Sequence, residues 1–78
     1  MLSSRLNQTR KSRKITAQQM ADSLSMGLHS YRNYESGDRS PSLDILVKIA
    51  DILSVPTDYL LGRDEYLESL GVSVDEFL

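Results

Sequence analysis

The chain has 78 residues, of which 9 are basic and 11 acidic, and it contains no cysteine. This length is enough for one small domain. The absence of cysteine excludes disulfides, and a single histidine argues against a structural zinc site. No apolar run approaches the roughly 20 residues of a membrane-spanning helix, and the first residues lack the apolar core of a signal peptide. We therefore expect a cytoplasmic protein without a metal or cofactor.

The charges are unevenly distributed along the chain, although the formal net charge is only -2. Residues 1–42 hold seven basic and three acidic side chains, whereas residues 43–78 hold two basic and eight acidic ones. Such a distribution lets one half of a protein face a polyanion while the other half faces away. It also fits two solvated faces of an ordinary protein, so charge alone does not decide between these readings.

Three helices are predicted in the first half of the chain, where no segment alternates with the two-residue period of a strand. The first is expected over about residues 4–13. The second begins after Thr16, because Thr16 and Gln19 fit a capping box, in which each side chain accepts a hydrogen bond from the other residue's amide. The third begins after Gly27 and ends near Ser36, with a glycine next in sequence as a left-handed stop.

Two more helices are predicted in the next twenty residues. Ser42 is a favourable N-cap, and the segment that follows it has a wide apolar face. The members of this face are Leu43, Leu46, Val47, Ile49, Ala50 and Leu53. A short fifth helix is expected from about Pro56 to Leu61, and Gly62 ends it.

The remaining residues form a tail with weaker signals. Residues 64–70 fit a sixth helix, and Ser73 opens another capping-box pattern just before the last residues of the chain. The prediction is an all-α fold, with a compact five-helix domain over residues 1–62 and a short, helical C-terminal tail over residues 63–78.

The second and third helices are separated only by Ser25, Met26 and Gly27, and both are too short to persist by propensity alone. Two such helices joined at a steep angle form a helix-turn-helix. The unit projects one helix from the surface, and the major groove of B-DNA, about 12 Å wide, admits one α-helix. This spacing therefore favours a DNA-binding role.

The third helix has an inner and an outer face. The inner face carries Tyr31 and Tyr34, and the outer face carries His29, Arg32, Asn33 and Ser36, with Leu28 at its edge. Arginine can bond guanine and asparagine adenine, but any surface helix has a polar outer face. The tyrosines could stack on single strands, although their inward spacing favours the core. The histidine could give a pH- or metal-sensitive contact, or simply a neutral imidazole, which we favour.

The segment ITAQQMADSLSMGLHSYRNYESGDRSP (15–41) resembles the Cro/repressor type of helix-turn-helix, the Xre-like or lambda-repressor-like family of bacterial and phage transcription regulators. The segments LDILVKIADIL and SVPTDYLLG that follow resemble the family's fourth and fifth helices, so that the resemblance covers residues 2–62. The residues that carry it are Ile15-Thr16, Met20-Ala21, Leu24, Tyr31, Tyr34-Glu35-Ser36-Gly37 and Arg39-Ser40-Pro41. The resemblance implies a sequence-specific regulator of transcription that binds double-stranded DNA, with repression as the expected mode.

The resemblance also implies roles for particular positions. A partly buried salt bridge between Arg10 and Glu35 would join the first helix to the end of the third. The bases would be read from the first turns of the third helix, by Leu28, His29, Arg32 and Asn33. The DNA backbone would be contacted at the start of the second helix and in the loop after the third, by Ala17, Gln18, Arg39 and Ser40. Apart from the resemblance, we assign backbone contacts to Arg13 and Lys14, which lie close to the start of the second helix, and to Tyr34 and Ser36 near the end of the third.

Four positions depart from the pattern of this family. Thr9 stands where a larger apolar residue is usual, and Ala17 where many members have a glutamine that touches phosphate. Gly27 replaces a serine or threonine N-cap. Ser25 replaces a glycine at the corner, where we expect a positive φ at a cost of about 1 kcal/mol for a residue with a side chain.

A homodimer is expected, because one such domain reads only about half a site, and half-sites of a palindrome lie about 34 Å apart. Apolar residues of the fifth helix and the tail lack an obvious core. The predicted dimer interface therefore consists of Tyr59, Leu60, Tyr66, Leu67, Leu70, Phe77 and Leu78.

Two alternative functions use the same fold. In one, the protein is an antitoxin whose acidic, apolar tail docks on a protein partner. In the other, it is a protein-interaction module that has lost DNA binding. An enzyme is not expected, since the sequence shows no carboxylate pair in a recognisable cleft, no nucleophile paired with the histidine and no phosphate-binding glycine loop.

Overall fold

The computed structural model describes residues 2–78, so that residue 1 of the predicted domain lies outside the described part of the chain. The helices are α1 (Leu2–Ser12), α2 (Ala17–Ser23), α3 (Leu28–Ser36), α4 (Leu43–Leu53), α5 (Thr57–Leu60) and α6 (Asp64–Ser69). A 3-10 helix (Val74–Phe77) follows them. Throughout residues 2–78 the regular structure is helical, and the predicted all-α fold is confirmed.

Local sequence signals explain where several helices begin and end. Thr16 Oγ1 accepts a hydrogen bond from the Gln19 amide at 3.1 Å, and Gln19 Oε1 accepts one from the Thr16 amide at 2.8 Å, which completes the predicted capping box. Ser42 Oγ accepts from the Ile45 amide at 3.3 Å and caps α4. Gly37 ends α3 at φ +85°, a conformation that glycine adopts without steric cost.

One apolar core joins all six α-helices. Its largest fully buried side chains come from α1 to α5 and are Leu6, Met20, Tyr31, Ile49, Leu53 and Leu60. Leu67 of α6 is 4% exposed and belongs to the same cluster. The segment predicted as a tail is therefore packed on the domain, and its α6 contributes to the core.

Burial corrects the predicted apolar face of α4. Leu46, Ile49, Ala50 and Leu53 are buried, but Leu43 and Val47 are 81% and 51% exposed. The reason is that α4 buries only one narrow stripe, and residues 43 and 47 lie at its edge, one turn apart.

Burial also corrects the predicted dimer interface. Tyr59, Leu60 and Leu67 are at most 4% exposed, because α5 packs against α1, α4 and α6. These three residues belong to the core cluster of a single copy. Phe77 is half-buried with its ring centroid 5.1 Å from that of Tyr59. The other members of the predicted interface are exposed, and they are Tyr66, Leu70 and Leu78.

An ion pair holds α6 against α1. Arg5 Nη1 and Nη2 donate to Asp64 Oδ1 and Oδ2 at 2.5 Å and 2.7 Å, and Nη1 also donates to the Tyr59 carbonyl at 2.8 Å. The guanidinium lies 4.5 Å from the centroid of the Tyr59 ring. These hydrogen bonds hold the pKa of Asp64 below its usual value, so the pair stays charged at neutral pH.

Thr9 is a buried polar residue of α1 without a visible role. It is 2% exposed, and no residue in the range 2–78 forms a hydrogen bond with its Oγ1. A buried hydroxyl without a partner loses its hydrogen bonds to water and gains nothing in exchange.

Replacing Thr9 with valine is expected to raise the free energy of unfolding by about 1 kcal/mol. Valine has the same shape but lacks the hydroxyl, and burying an unpaired donor costs about 1–3 kcal/mol. Denaturant midpoints at constant slope measure the change. Thr16→Val is the matched control, because it removes a hydroxyl that caps α2 and should cost about 1 kcal/mol. A Thr9→Val midpoint at or below that of the parent would show that the Thr9 hydroxyl is paired in solution.

No helix within residues 2–78 has both the length and the apolar character needed to cross a membrane.

Candidate nucleic-acid interface

The corner between α2 and α3 is tied closely to α2. The Ser25 amide donates to the Asp22 carbonyl at 3.1 Å, and the Met26 amide donates to the Ala21 carbonyl at 3.0 Å. Ser25 has a φ of +55°, which confirms the expected left-handed corner. Because Ala21 and Leu24 are buried beside this corner, the angle between the two helices is held by the core.

The carboxylate of Glu35, near the end of α3, accepts hydrogen bonds from three side chains. Arg10 donates to it from Nε at 2.6 Å and from Nη2 at 3.1 Å, so the implied salt bridge is present. Asn7 Nδ2 donates to it at 2.7 Å, and the Tyr31 hydroxyl is a further donor. We call these four residues the Glu35 network.

The Glu35 network is largely sealed from water. The Arg10 and Glu35 side chains are 12% and 10% exposed, and Tyr31 is fully buried. Burial alone would raise the pKa of Glu35, but the hydrogen bonds from Arg10, Tyr31 and Asn7 outweigh it and hold the pKa below its usual value. Burial, and then the adjacent carboxylate, raise the pKa of Tyr31, so its hydroxyl remains a donor.

The Glu35 network fixes the orientation of α3. Asn7 and Arg10 belong to α1, whereas Tyr31 and Glu35 belong to α3. Arg10 Nη1 also donates to the Ile15 carbonyl at 2.9 Å, just before α2 begins. One guanidinium therefore links α1, the approach to α2 and the end of α3. Sequence reasoning missed Asn7 and Tyr31, although their spacing of three from Arg10 and four from Glu35 places each on the same helix face as its neighbour.

The predicted base-reading residues all lie on α3, and two of them project from it. His29 and Arg32 are exposed, and neither forms a hydrogen bond or ion pair with another residue in the range 2–78. Leu28 and Asn33 are half-buried. The Arg32 guanidinium is therefore free to donate to an external acceptor, and arginine binds guanine through two parallel hydrogen bonds.

Several predicted backbone contacts surround this helix. Lys14, Gln18, Arg39 and Ser40 are exposed, whereas Ala17 and Tyr34 are half-buried. The Arg39 amide donates to the Asn33 carbonyl at 3.1 Å, which folds the loop after α3 back against the end of that helix. The exposed cations Arg32 and Arg39 are thus held on one compact segment.

The side chains of two residues predicted to contact the DNA backbone already have acceptors within the chain. Arg13 Nε donates to the Leu53 carbonyl at 3.1 Å and its Nη1 to the Phe77 carbonyl at 3.4 Å, so its guanidinium is engaged at the end of α4 and in the tail. The Ser36 hydroxyl is 3.2 Å from the Asn33 carbonyl and 3.0 Å from the Asp38 carboxylate. Both acceptors are internal, so the exposed Ser36 hydroxyl is paired within the chain.

Ion pairing reduces the charge available to a polyanion. Of the seven basic residues in 1–42, Arg5 and Arg10 are paired with Asp64 and Glu35, whereas Arg13 donates to backbone carbonyls and keeps its net charge. The exposed members are Lys11, Lys14, Arg32 and Arg39.

The described residues also show no group of three acidic or histidine side chains arranged to hold a metal ion.

Comparisons with known proteins agree with this geometry. The helix-turn-helix family model HTH_3 matches residues 6–60. The chain is 48% identical over 59 residues to the cryptic phage CTXphi transcriptional repressor RstR of Vibrio cholerae serotype O1, covering 76% of this chain and 53% of that protein. It is 39% identical over 64 residues to the HTH-type transcriptional regulator ImmR of Bacillus subtilis, covering 82% of this chain and 50% of that protein.

A third relative extends further along the chain. The HTH-type transcriptional regulator AnsR of Bacillus subtilis is 35% identical over 71 residues, which cover 91% of this chain and 61% of that protein. No solved structure matches the chain significantly. The matches to RstR and ImmR span about half the length of those proteins.

Proposed function

Because this chain belongs to the helix-turn-helix family HTH_3, we propose that it is a sequence-specific DNA-binding regulator of transcription that acts as a repressor. The names of its relatives RstR and ImmR support this proposal. The protein works without catalysis, in the cytoplasm, by occupying its operator.

The observation that carries the proposal is an outward-facing, unpaired arginine on a rigidly oriented helix. Arg32 has no partner among residues 2–78, while the opposite side of the same helix is fixed by Tyr31 and Glu35. A side chain reads a base reliably only when the helix that carries it is held in one orientation. The Glu35 network provides that orientation, and Arg32 and Asn33 provide the donors for the major groove.

Around this helix, exposed groups would position the protein on the phosphates. We assign this role to Lys14, Gln18, Arg39 and Ser40, with Tyr34 beside them. Phosphate contacts set register and orientation, whereas contacts with base edges carry the sequence information.

Two copies would bind one palindromic operator. The domain measures 37 × 23 × 18 Å, and the centres of half-sites on one face of B-DNA lie about 34 Å apart. Two domains of this size therefore lie side by side with their flanks close together. Bound in this way, they would cover a promoter and block polymerase.

Selection of bound sequences from a random duplex library, followed by titration against salt, tests the proposal. We expect a palindromic motif to be enriched. We also expect log K to fall with log salt with a slope of about -2 per copy, because two exposed cations, Lys14 and Arg39, are assigned to phosphates and each released counterion contributes about 0.9. A slope of about -4.5 per copy would mean that Arg5, Arg10 and Arg13 also bind phosphate. Binding with no enriched sequence would contradict the regulator and favour the protein-interaction module.

A further inference from the structure

The exposed side of α4 carries an apolar pair that the core does not use. Leu43 and Val47 lie one turn apart and are 81% and 51% exposed. Both lie beside the buried stripe of the same helix, so they form a continuous edge of apolar surface along the first two turns of α4. Isolated apolar residues are common on surfaces, and a second feature is needed to give this pair a meaning.

The second feature is a pair of opposite charges on the same turns. Asp44 and Lys48 are each one residue beyond a member of the apolar pair, and both are exposed. Neither forms an ion pair or hydrogen bond with any residue in the range 2–78. Each of the first two turns of α4 therefore carries an exposed apolar residue followed by a charged one. The charged residue is acidic in the first turn and basic in the second.

This pattern is self-complementary when two α4 helices run antiparallel. Placing Leu43 of one copy opposite Val47 of the other brings Asp44 of each copy near Lys48 of its partner. A two-fold axis repeats both contacts, as the isologous interface of a symmetric dimer requires. A parallel arrangement would instead place the charged residues of the two copies on opposite sides of the contact, so that no charge pair would form.

The position of α4 suits such a pairing on DNA. Its first residue, Leu43, is three positions after Ser40, which we assign to a phosphate contact. The start of α4 therefore lies beside the DNA-facing side of the domain. Two domains whose half-sites are one helical turn apart must bring their flanks together close to the duplex.

We propose that the Leu43, Asp44, Val47 and Lys48 surface, here called the α4 patch, is the contact between two copies of this chain on the operator. The proposal rests on the proposed function, whose binding site it completes. In this proposal the α4 patch is the dimer contact in place of the buried residues of α5 and α6. The exposed residues Tyr66, Leu70 and Leu78 are not part of it.

The α4 patch is too small to hold a stable dimer in dilute solution. Two apolar side chains per copy are far less than the roughly 800 Å² per partner of a standard interface. Two copies on adjacent half-sites experience an effective concentration in the millimolar range, where a weak contact becomes populated. The pairing is therefore expressed as cooperative binding to the operator.

The test is the ratio of the affinity for the whole palindrome to the affinity for single half-sites. A change of charge near DNA alters both affinities, and the ratio removes that common effect. Asp44→Lys alone and Lys48→Asp alone are each expected to lower the cooperativity about tenfold, because they place like charges across the contact. The double variant Asp44→Lys/Lys48→Asp restores the opposite charges and should return cooperativity to within about twofold of the parent.

Apolar variants provide a matched control. Leu43→Gln adds no charge and is expected to abolish cooperativity with little change in half-site affinity. Leu70→Gln changes a residue of the tail that is 59% exposed and should leave cooperativity intact. The α4 patch would be overturned if the Leu70 variant abolished cooperativity and the Leu43 variant did not. It would also be overturned if the double charge variant were as defective as the single ones.

A measurement without DNA separates this inference from the proposed function. The chain lacks cysteine, so a Val47→Cys variant carries a single thiol. At millimolar protein concentration a short bismaleimide should join two Val47→Cys chains about tenfold faster than two Leu70→Cys chains. If no DNA sequence is bound and this cross-link still forms, the regulator fails and the α4 patch stands. Equal rates for the two variants would overturn the α4 patch whether or not DNA binds.

Discussion

Replacing Glu35 with alanine is expected to lower the free energy of unfolding by about 3 kcal/mol. The change leaves the Arg10 guanidinium, the Asn7 amide and the Tyr31 hydroxyl without their common acceptor in a place that is nearly closed to water. Removing one partner of a buried ion pair costs about 3–5 kcal/mol, mostly because the remaining charge stays buried and unpaired. In a domain of this size the loss corresponds to a fall in melting temperature of roughly 12 °C or more.

Two variants separate this effect from a general sensitivity to mutation. Glu68→Ala removes an exposed carboxylate of α6 and should change stability by less than about 0.5 kcal/mol. Glu35→Ala combined with Arg10→Met removes both charges and should recover part of the loss, because no buried charge is then left alone. If Glu35→Ala melts at the temperature of the parent, the Glu35 network is not formed in solution.

The same network gives the stability a defined dependence on pH. The pKa of Glu35 is lower in the folded protein than in the unfolded chain, so the unfolded state binds more protons as the pH falls. The stabilisation is therefore fully present above the unfolded pKa, about 4.3, and is lost as the pH falls through the folded value. The Glu35→Gln variant does not titrate there, so its stability deficit should be constant above about pH 5 and shrink below it. A deficit that grows with acid would reverse this sign.

The parts of the fold that could be predicted are those set by neighbours in sequence. The capping box of Thr16, the N-cap Ser42 and the left-handed Gly37 each act within one turn of chain, and each is found where the sequence predicts it. The left-handed Ser25 is implied only by the family resemblance, in which a glycine usually stands at this corner.

The parts that could not be predicted depend on contacts between distant segments. Helix α5 has four residues, too few for periodicity to show which side is buried, and Tyr59 and Leu60 were therefore assigned to the wrong surface. Arg13 is engaged by a carbonyl forty residues away, at Leu53. No local pattern predicts such a contact, so the sequence does not show that the Arg13 side chain is held at the end of α4.

The contrast between local signals and distant contacts also applies to the residues predicted to contact DNA. The direction in which Arg32 points follows from helical spacing around Tyr31 and is visible in the sequence. The sequence does not show that the Arg32 side chain has no partner among residues 2–78. This property distinguishes Arg32 from Arg10 and Arg13, although all three count equally as basic residues in the composition. The tertiary structure thus distinguishes Arg32, which we propose to read a base, from the arginines that have internal partners.

Replacing Arg32 with alanine is accordingly expected to weaken binding to the selected operator by about 10- to 100-fold per half-site. A bidentate contact between an arginine and a guanine contributes about 1–3 kcal/mol of discrimination. Since this contact is made to a base and not to a phosphate, binding to unrelated DNA and the salt slope should change little. Arg32 is exposed and unpaired, so the variant should melt within about 0.5 kcal/mol of the parent.

Arg39→Ala is the matched control for Arg32→Ala. Arg39 is also exposed and lies in the loop after α3, but we assign it to a phosphate. Its loss should weaken binding to all sequences alike and reduce the salt slope by about 1. Titrations of both variants against operator and unrelated duplexes at several salt concentrations distinguish the two roles. Equal losses on both duplexes for Arg32→Ala would assign it to the backbone and move base reading to His29 and Asn33, whereas a loss confined to the operator establishes α3 as the helix that reads the sequence.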